Sequence, residues 1–170
     1  GVGIVWTLLL LSSTLSLRKF YHDDFENGNL LIIHLNGFSF GFIAILKTFS
    51  HFLFVQIPFL LSIPVASILL NIAYDKLIYI FASFAIGSLI LSCLGSISSS
   101  MNLMNQRNFL LGSVIVMIFS VPVIIFSVGV INLEENFYSL INILFGILLI
   151  VFAINPWASG LCLKLSLENS

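Results

Sequence analysis

Six stretches without a single Asp, Glu, Lys or Arg account for nearly the whole chain: Gly1 to Leu17, Asn27 to Leu46, Thr48 to Tyr74, Leu77 to Gln106, Asn108 to Leu133 and Asn136 to Leu163. Most are long enough for the roughly 20 residues that carry a helix across a hydrocarbon core. With 59% hydrophobic and 8% charged residues, a water-soluble domain of this length has too little polar surface to cover itself. A transmembrane β-barrel needs segments of about 10 residues that alternate apolar and polar, whereas these runs are apolar all the way round. Helices satisfy every backbone group within one segment. The expected fold class is therefore all-α, a polytopic membrane helical bundle forming a single domain over residues 1–170.

Six runs do not imply six spans. Only Lys47 separates the second run from the third, without a turn residue beside it, and the nearest turn signal is Asn36-Gly37. A helix from Phe38 to Ala73 would measure about 54 Å at 1.5 Å per residue, against a core of about 30 Å. The expected solution is an interfacial elbow from Phe38 to about Lys47 that leads into a span. Phe38, Phe42, Ile45, Leu46 and Phe49 fall on one face of that stretch and suit lipid. Gly37, Gly41, Ala44, Thr48 and His51 form a small or polar stripe opposite and suit protein.

Spans are then expected near 2–17, 48–73, 77–99, 109–131 and 138–161, with a cytoplasmic loop and interfacial helix over 18–47. Arg18, Lys19 and Lys47 fall in the first connection, Lys76 in the second, Arg107 in the third and Lys164 in the tail. The positive-inside bias puts the first and third connections and the tail in the cytoplasm. The chain opens on Gly1 and enters an apolar run without the basic flank of a secretory signal. It is expected to be truncated, with a preceding span upstream.

The one substantial charged segment runs Arg18-Lys19-Phe20-Tyr21-His22-Asp23-Asp24-Phe25-Glu26-Asn27-Gly28 and is followed by apolar Leu30 to Leu35. It reads as a polar loop, a turn and a short surface helix, with Asp23, Asp24 and Glu26 just before the helix N-terminus, where negative charge is favoured. Two adjacent Asp and one Glu without a second cluster are a weak signal for a metal or for acid/base chemistry. Docking of a cytoplasmic protein is the better functional reading. His22, His34 and His51 fit no Cys-x-x-Cys-His or His-x-x-x-His pattern, and His51 reads as a hydrogen-bonded packing residue. Ser88, Ser92, Gly95, Ser96 and Ser99 form a small-residue stripe that lets helices approach closely. Pro58, Pro64, Pro122 and Pro156 should bend or break their helices. Cys93 and Cys162 lie in apolar runs and read as buried thiols, with no disulfide framework or zinc site. Net charge of -1 gives no general attraction for nucleic acid. No charge lies deep in a span, which argues against a carboxylate-relay carrier, and no Gly-x-x-x-x-Gly-Lys-Ser/Thr loop occurs, so for work against a gradient another subunit must supply the energy.

Taken in order, these residues resemble the haem exporter protein B (CcmB) family. Asp23-Asp24-Phe25-Glu26-Asn27-Gly28-Asn29-Leu30 stands where the family has Asp-Asp-Phe/Tyr-Glu-Asp-Gly-Ser-Leu, and Trp6 lies near the start of the preceding run. Leu46-Lys47 with His51 matches the family's Ala-Lys followed by His. Pro58 and Pro64, Pro122 within Val121-Pro122-Val123-Ile124-Ile125-Phe126, and Asn155-Pro156-Trp157-Ala158 also fit. The chain departs at Leu31-Ile32 and Asn36-Gly37, where the family commonly has Glu-Gln and Ser-Pro, so its surface helix is greasier.

The resemblance implies an ABC-2-type permease subunit, not itself an enzyme, in the bacterial inner membrane or the corresponding mitochondrial one. It also implies one more N-terminal span, a cytoplasmic ABC ATPase partner and further haem-handling membrane subunits of cytochrome c maturation. Haem would be a ligand handled by the complex, with no cofactor bound directly. Asp23, Asp24, Phe25, Glu26, Gly28 and Leu30 are the expected ATPase-coupling residues. The alternatives are an ABC permease for another substrate, such as a lipid-linked sugar or drug, and a non-transporting assembly scaffold.

Overall fold

A computed structural model of the chain describes residues 3, 4, 6, 8, 16, 20–69, 71, 73–104, 110–132 and 136–169. From residue 20 onward, two short helices, α1 (His22–Glu26) and α2 (Asn29–Leu35), together form an arm. They are followed by α3 (Phe40–His51), a π-helical segment (Phe52–Gln56) and α4 (Ile57–Leu69), a 3₁₀ turn (Tyr74–Lys76), and the long helices α5 (Leu77–Met104), α6 (Leu110–Asn132) and α7 (Phe137–Glu168). Among the described residues four helices are long and apolar enough to cross a membrane: Phe40–Leu69, Leu77–Met104, Gly112–Val130 and Phe137–Glu168. The chain is an all-α polytopic membrane bundle. The expected first span, 2–17, lies largely outside the described residues, as do Arg18, Lys19 and the connection holding Arg107.

The expected elbow is not a separate element. Helix α3, the π segment and α4 run on as one 30-residue helix, about 45 Å long at 1.5 Å per residue. Two features replace the expected break. The helix starts late, at Phe40, after a turn in which Gly37 takes a φ of 96° and the Ser39 hydroxyl accepts from the Phe42 N–H as an N-cap. Lys47, two turns in, is ion-paired with Asp24 of the arm, so its charge needs no exit from the helix.

The two faces read from sequence are there. Phe38, Phe42, Leu46 and Phe49 are exposed, while Ala44, Thr48 and His51 are buried. The π segment ends two residues before Pro58, which cannot donate to the carbonyl one turn back and crowds it. A widened turn is a common accommodation. Pro64, Pro122 and Pro156 lie inside uninterrupted helices, so none of them breaks its helix.

Helix α5 is the axis of the bundle. Its stripe of Ser88, Ser92, Ser96 and Ser99 is buried, and its apolar side joins Trp6, Leu60, Ile63, Val116, Val123, Val130 and Leu144 in one core around Phe84, Ile90 and Leu91. Trp6 stacks on Phe84 at 4.4 Å. Two cross-links tie α5 to α6: Ser83 donates to the Ser127 carbonyl at 2.8 Å, and the Gly112 N–H donates to Asn102 Oδ1 at 3.0 Å. Helices α3 and α7 approach backbone to backbone at Gly41 and Gly160. A Cβ on Gly160 would lie 3.0 Å from the Gly41 nitrogen, and one on Gly41 would lie 3.1 Å from the Pro156 carbonyl oxygen.

Candidate functional site

The arm is a helix–turn–helix rather than a polar loop leading into one helix. Asp23 and Asp24 occupy the first turn of α1, where they complement that helix's own N-terminus. Gly28 starts α2 in the left-handed conformation, φ 70°, a region glycine enters without the steric cost of a side chain. The carboxylates therefore serve α1 and do not precede α2, because the turn at Asn27-Gly28 separates them from it.

The six residues expected to contact a partner divide by direction. Asp23 and Glu26 face outward. Asp24 is half-buried, accepts from the Asn29 side-chain amide at 3.3 Å and pairs with Lys47. Phe25 is half-buried against a small apolar cluster, and Leu30 is buried within it beside Phe20, Tyr21, Ile43, Leu103 and Leu163. Gly28 supplies the turn. So Asp24, Phe25 and Leu30 hold the arm in place, Gly28 shapes its turn, and Asp23 and Glu26 face away from the bundle. His22 adds to the outer face through its 3.2 Å pair with Glu26, and Leu31, Ile32 and Leu35 extend it as an exposed apolar strip. His34 stacks on Phe40 at 4.0 Å and bonds the Phe38 carbonyl through Nδ1 at 2.9 Å, which fastens the turn between α2 and α3.

Beneath the arm runs a buried polar chain that sequence reasoning had split into unrelated parts. The Tyr21 hydroxyl lies 2.7 Å from Ser96 Oγ, and Ser96 Oγ lies 3.3 Å from Ser159 Oγ. Ser159 donates to Asn155 Oδ1 at 2.9 Å, Asn155 Nδ2 donates to Thr48 Oγ1 at 2.9 Å, and Thr48 donates to the Ala44 carbonyl at 2.8 Å. Counting protons fixes the two ambiguous links. Ser159 has spent its proton on Asn155, so it accepts from Ser96, and Ser96 therefore accepts from Tyr21.

The chain thus has one direction, from Tyr21 through Ser96, Ser159, Asn155 and Thr48 to Ala44, and joins the arm to α5, α7 and α3. Bonds aligned this way polarise one another. Tyr21 is fully buried, and that burial pushes its phenol well above the usual tyrosine range, which keeps it a donor. In the sequence Ser96 and Thr48 look like members of small-residue stripes and Asn155 like part of a motif. The readable signal is Asn155, Ser159 and Ser166 on one face of a largely apolar helix, four and seven residues apart.

A second polar contact lies alongside. His51 is buried at 8% exposure, stacks near Phe20 at 4.9 Å and bonds Ser92 Oγ through Nδ1 at 3.1 Å, the packing role expected for it. Ser16, Phe20, Lys47, Ser50, His51 and Phe54 line a cavity of about 170 Å³ beside it. That is below the roughly 300 to 1,000 Å³ typical of small-molecule pockets. Among the described residues no group of three His, Cys, Asp or Glu is placed to hold a metal ion.

The model of the CcmB protein family matches residues 1–166. The chain belongs to the CcmB protein family. Its sequence is 28% identical over 170 residues to "Heme exporter protein B" of Haemophilus influenzae, an alignment covering 98% of this chain and 77% of that relative. It is 31% identical over 115 residues to the protein of the same name from Paracoccus denitrificans and 25% identical over 115 residues to that of Pseudomonas aeruginosa. Each of these two alignments takes in 68% of this chain and about half of the relative, 53% and 52%. The match to the CcmB family model includes the arm, the Tyr21–Thr48 polar chain and the Gly41–Gly160 crossing, all of which fall within residues 1–166.

Proposed function

We propose that this CcmB-family chain is the permease subunit of an ABC-type haem export complex of cytochrome c maturation, seated in the bacterial inner membrane. In this reading it carries no ATPase of its own, and a cytoplasmic ATPase subunit docks on the arm through the face bearing Asp23, Glu26, Leu31, Ile32 and Leu35. Haem is cargo handled by the complex, together with further haem-handling membrane subunits, and its export or the release of a haem-loaded chaperone is the step that ATP hydrolysis drives.

The observation that carries the reading is the construction of the arm. Three of its residues, Asp24, Phe25 and Leu30, are spent on anchoring it to the spans, while an acidic and apolar face is left outward. Such a geometry suits a lever that receives force from a partner. The test is Asp23→Lys with Glu26→Lys in the assembled complex. The ATPase subunit should no longer co-purify with the permease, and covalent c-type cytochromes should disappear from the membranes. Undiminished co-purification would remove the arm from the docking interface. A permease for another substrate would leave c-type cytochromes intact on deletion, and an assembly scaffold would tolerate an inactive ATPase.

A further inference from the structure

We infer that Tyr21 is a positioning residue for the transport cycle: its hydroxyl couples displacement of the arm to α5 and α7 through Ser96 and Ser159. This rests on the docking of an ATPase on the arm and names the route by which that docking reaches the spans.

Helices of five and seven residues, as in α1 and α2, have no stability of their own. Their orientation is set by what ties them down. Phe25 and Leu30 make apolar contacts, which are non-directional and tolerate sliding. The Asp24–Lys47 pair is partly exposed and reaches only α3. Tyr21 alone combines full burial with a directional bond, 2.7 Å to Ser96, and it sits immediately before α1.

Pulling the arm outward withdraws the donor on which Ser96 depends, and Ser96 is itself the donor to Ser159 of α7. All members of the chain are neutral, so opening it costs on the scale of hydrogen bonds and not of buried charges. A reversible device needs that property. Coupling between distant sites requires an element with two arrangements that both sites bias. A donor that is either seated on Ser96 or withdrawn from it is such an element.

The experiment uses the complete complex in lipid nanodiscs and reads backbone hydrogen exchange with and without ATP over 92–100 and 155–163. Tyr21→Phe should keep the ATPase subunit bound and hydrolysing, because the outward face of the arm is untouched. The ATP-dependent change in exchange should fall roughly threefold in both segments, the scale of coupling lost with one bond. Ser159→Ala should reduce it over 155–163 and leave 92–100 responsive. A wild-type ATP response in Tyr21→Phe overturns the inference, and so does loss of the ATPase subunit from that variant. Should the Tyr21→Phe chain fail to fold, an unchanged response over 155–163 in Ser159→Ala overturns it instead. The Asp23→Lys, Glu26→Lys variant keeps the two ideas apart: if it retains the ATPase subunit, the docking face is wrong, while the Tyr21 result is still read from exchange.

Discussion

Asn155 offers the most searching test of the polar chain, because it is fully buried and makes two side-chain bonds to different helices' partners. In Asn155→Leu, Ser159 loses an acceptor but can turn its hydroxyl to a carbonyl of its own helix. Thr48 keeps its bond to Ala44 and loses only an incoming donor. With neutral bonds worth about 0.5 to 1.5 kcal/mol each, and interhelical ones in membranes averaging about 0.6, the expected destabilisation is about 1 to 2 kcal/mol. Thr48→Val should cost about 1 to 3 kcal/mol, since it strands the Asn155 amide N–H in an apolar site. The double variant leaves neither partner stranded and should cost less than the sum, with a coupling of about 1 kcal/mol. The measurement is an unfolding equilibrium in lipid bicelles for the four proteins of the cycle. Additivity within about 0.5 kcal/mol would show that the bond between α7 and α3 is not made, and the directed chain would have to be abandoned.

Two further outcomes follow from the same geometry. Burial raises the Tyr21 phenol above its unfolded value; the native state then holds a proton that the unfolded chain releases near the ordinary tyrosine pKa of about 10. Stability from this group is present in full below that pH and declines as pH rises beyond it. Unfolding midpoints measured on the alkaline side should therefore fall less steeply for Tyr21→Phe than for the parent, and equal slopes would contradict the burial of the phenol. At the α3–α7 crossing, Gly160→Val places a side chain against the Gly41 backbone, which cannot move aside. It should lose about 1 to 3 kcal/mol, whereas Gly146→Ala, at an open position of the same helix, should be neutral or stabilising.

The fold class was legible because it depends on quantities that a sequence carries directly, namely run lengths and the absence of charge. So were the lipid and protein faces of Phe40–His51, since the 3.6-residue period alone separates Phe42, Leu46 and Phe49 from Ala44, Thr48 and His51. The break near Lys47 was misplaced for a physical reason. A lysine inside an apolar run signals an interface only when its charge has no partner, and Asp24, more than twenty residues earlier, supplies one. Long-range pairing of this kind has no local signature. The same holds for Tyr21 and Ser96, which lie 75 positions apart. Each looked ordinary alone, a tyrosine in a polar loop and a serine in a packing stripe. For the expected coupling residues, the sequence shows where the charged segment lies but not that Asp23 and Glu26 point outward while Asp24, Phe25 and Leu30 point inward, because that depends on which side of a five-residue helix meets the bundle.

That division bears on how such a bundle is held together. Lipid tails are as apolar as leucine, so helices in a bilayer gain little from hiding apolar surface from one another, and specific association must come from close backbone approach and interhelical hydrogen bonds. Helices α3 and α7 use both: the Gly41–Gly160 contact, and within two turns of it the Thr48–Asn155 bond. The second of these is the far end of the chain that begins at Tyr21. The bonds that specify the α3–α7 crossing and the bond that seats the arm are therefore members of one directed series, with Ser96 of α5 in the middle. A disturbance of the arm has no purely local effect, since the donor it removes also polarises the bond that Ser96 makes to Ser159 and, more weakly, those beyond it. Conversely, a change in the α3–α7 crossing that separates Asn155 from Thr48 is felt at Ser96, and through it at Tyr21. Reciprocity of this sort is what thermodynamic linkage demands of two coupled sites, and here it needs no charge within the membrane to operate.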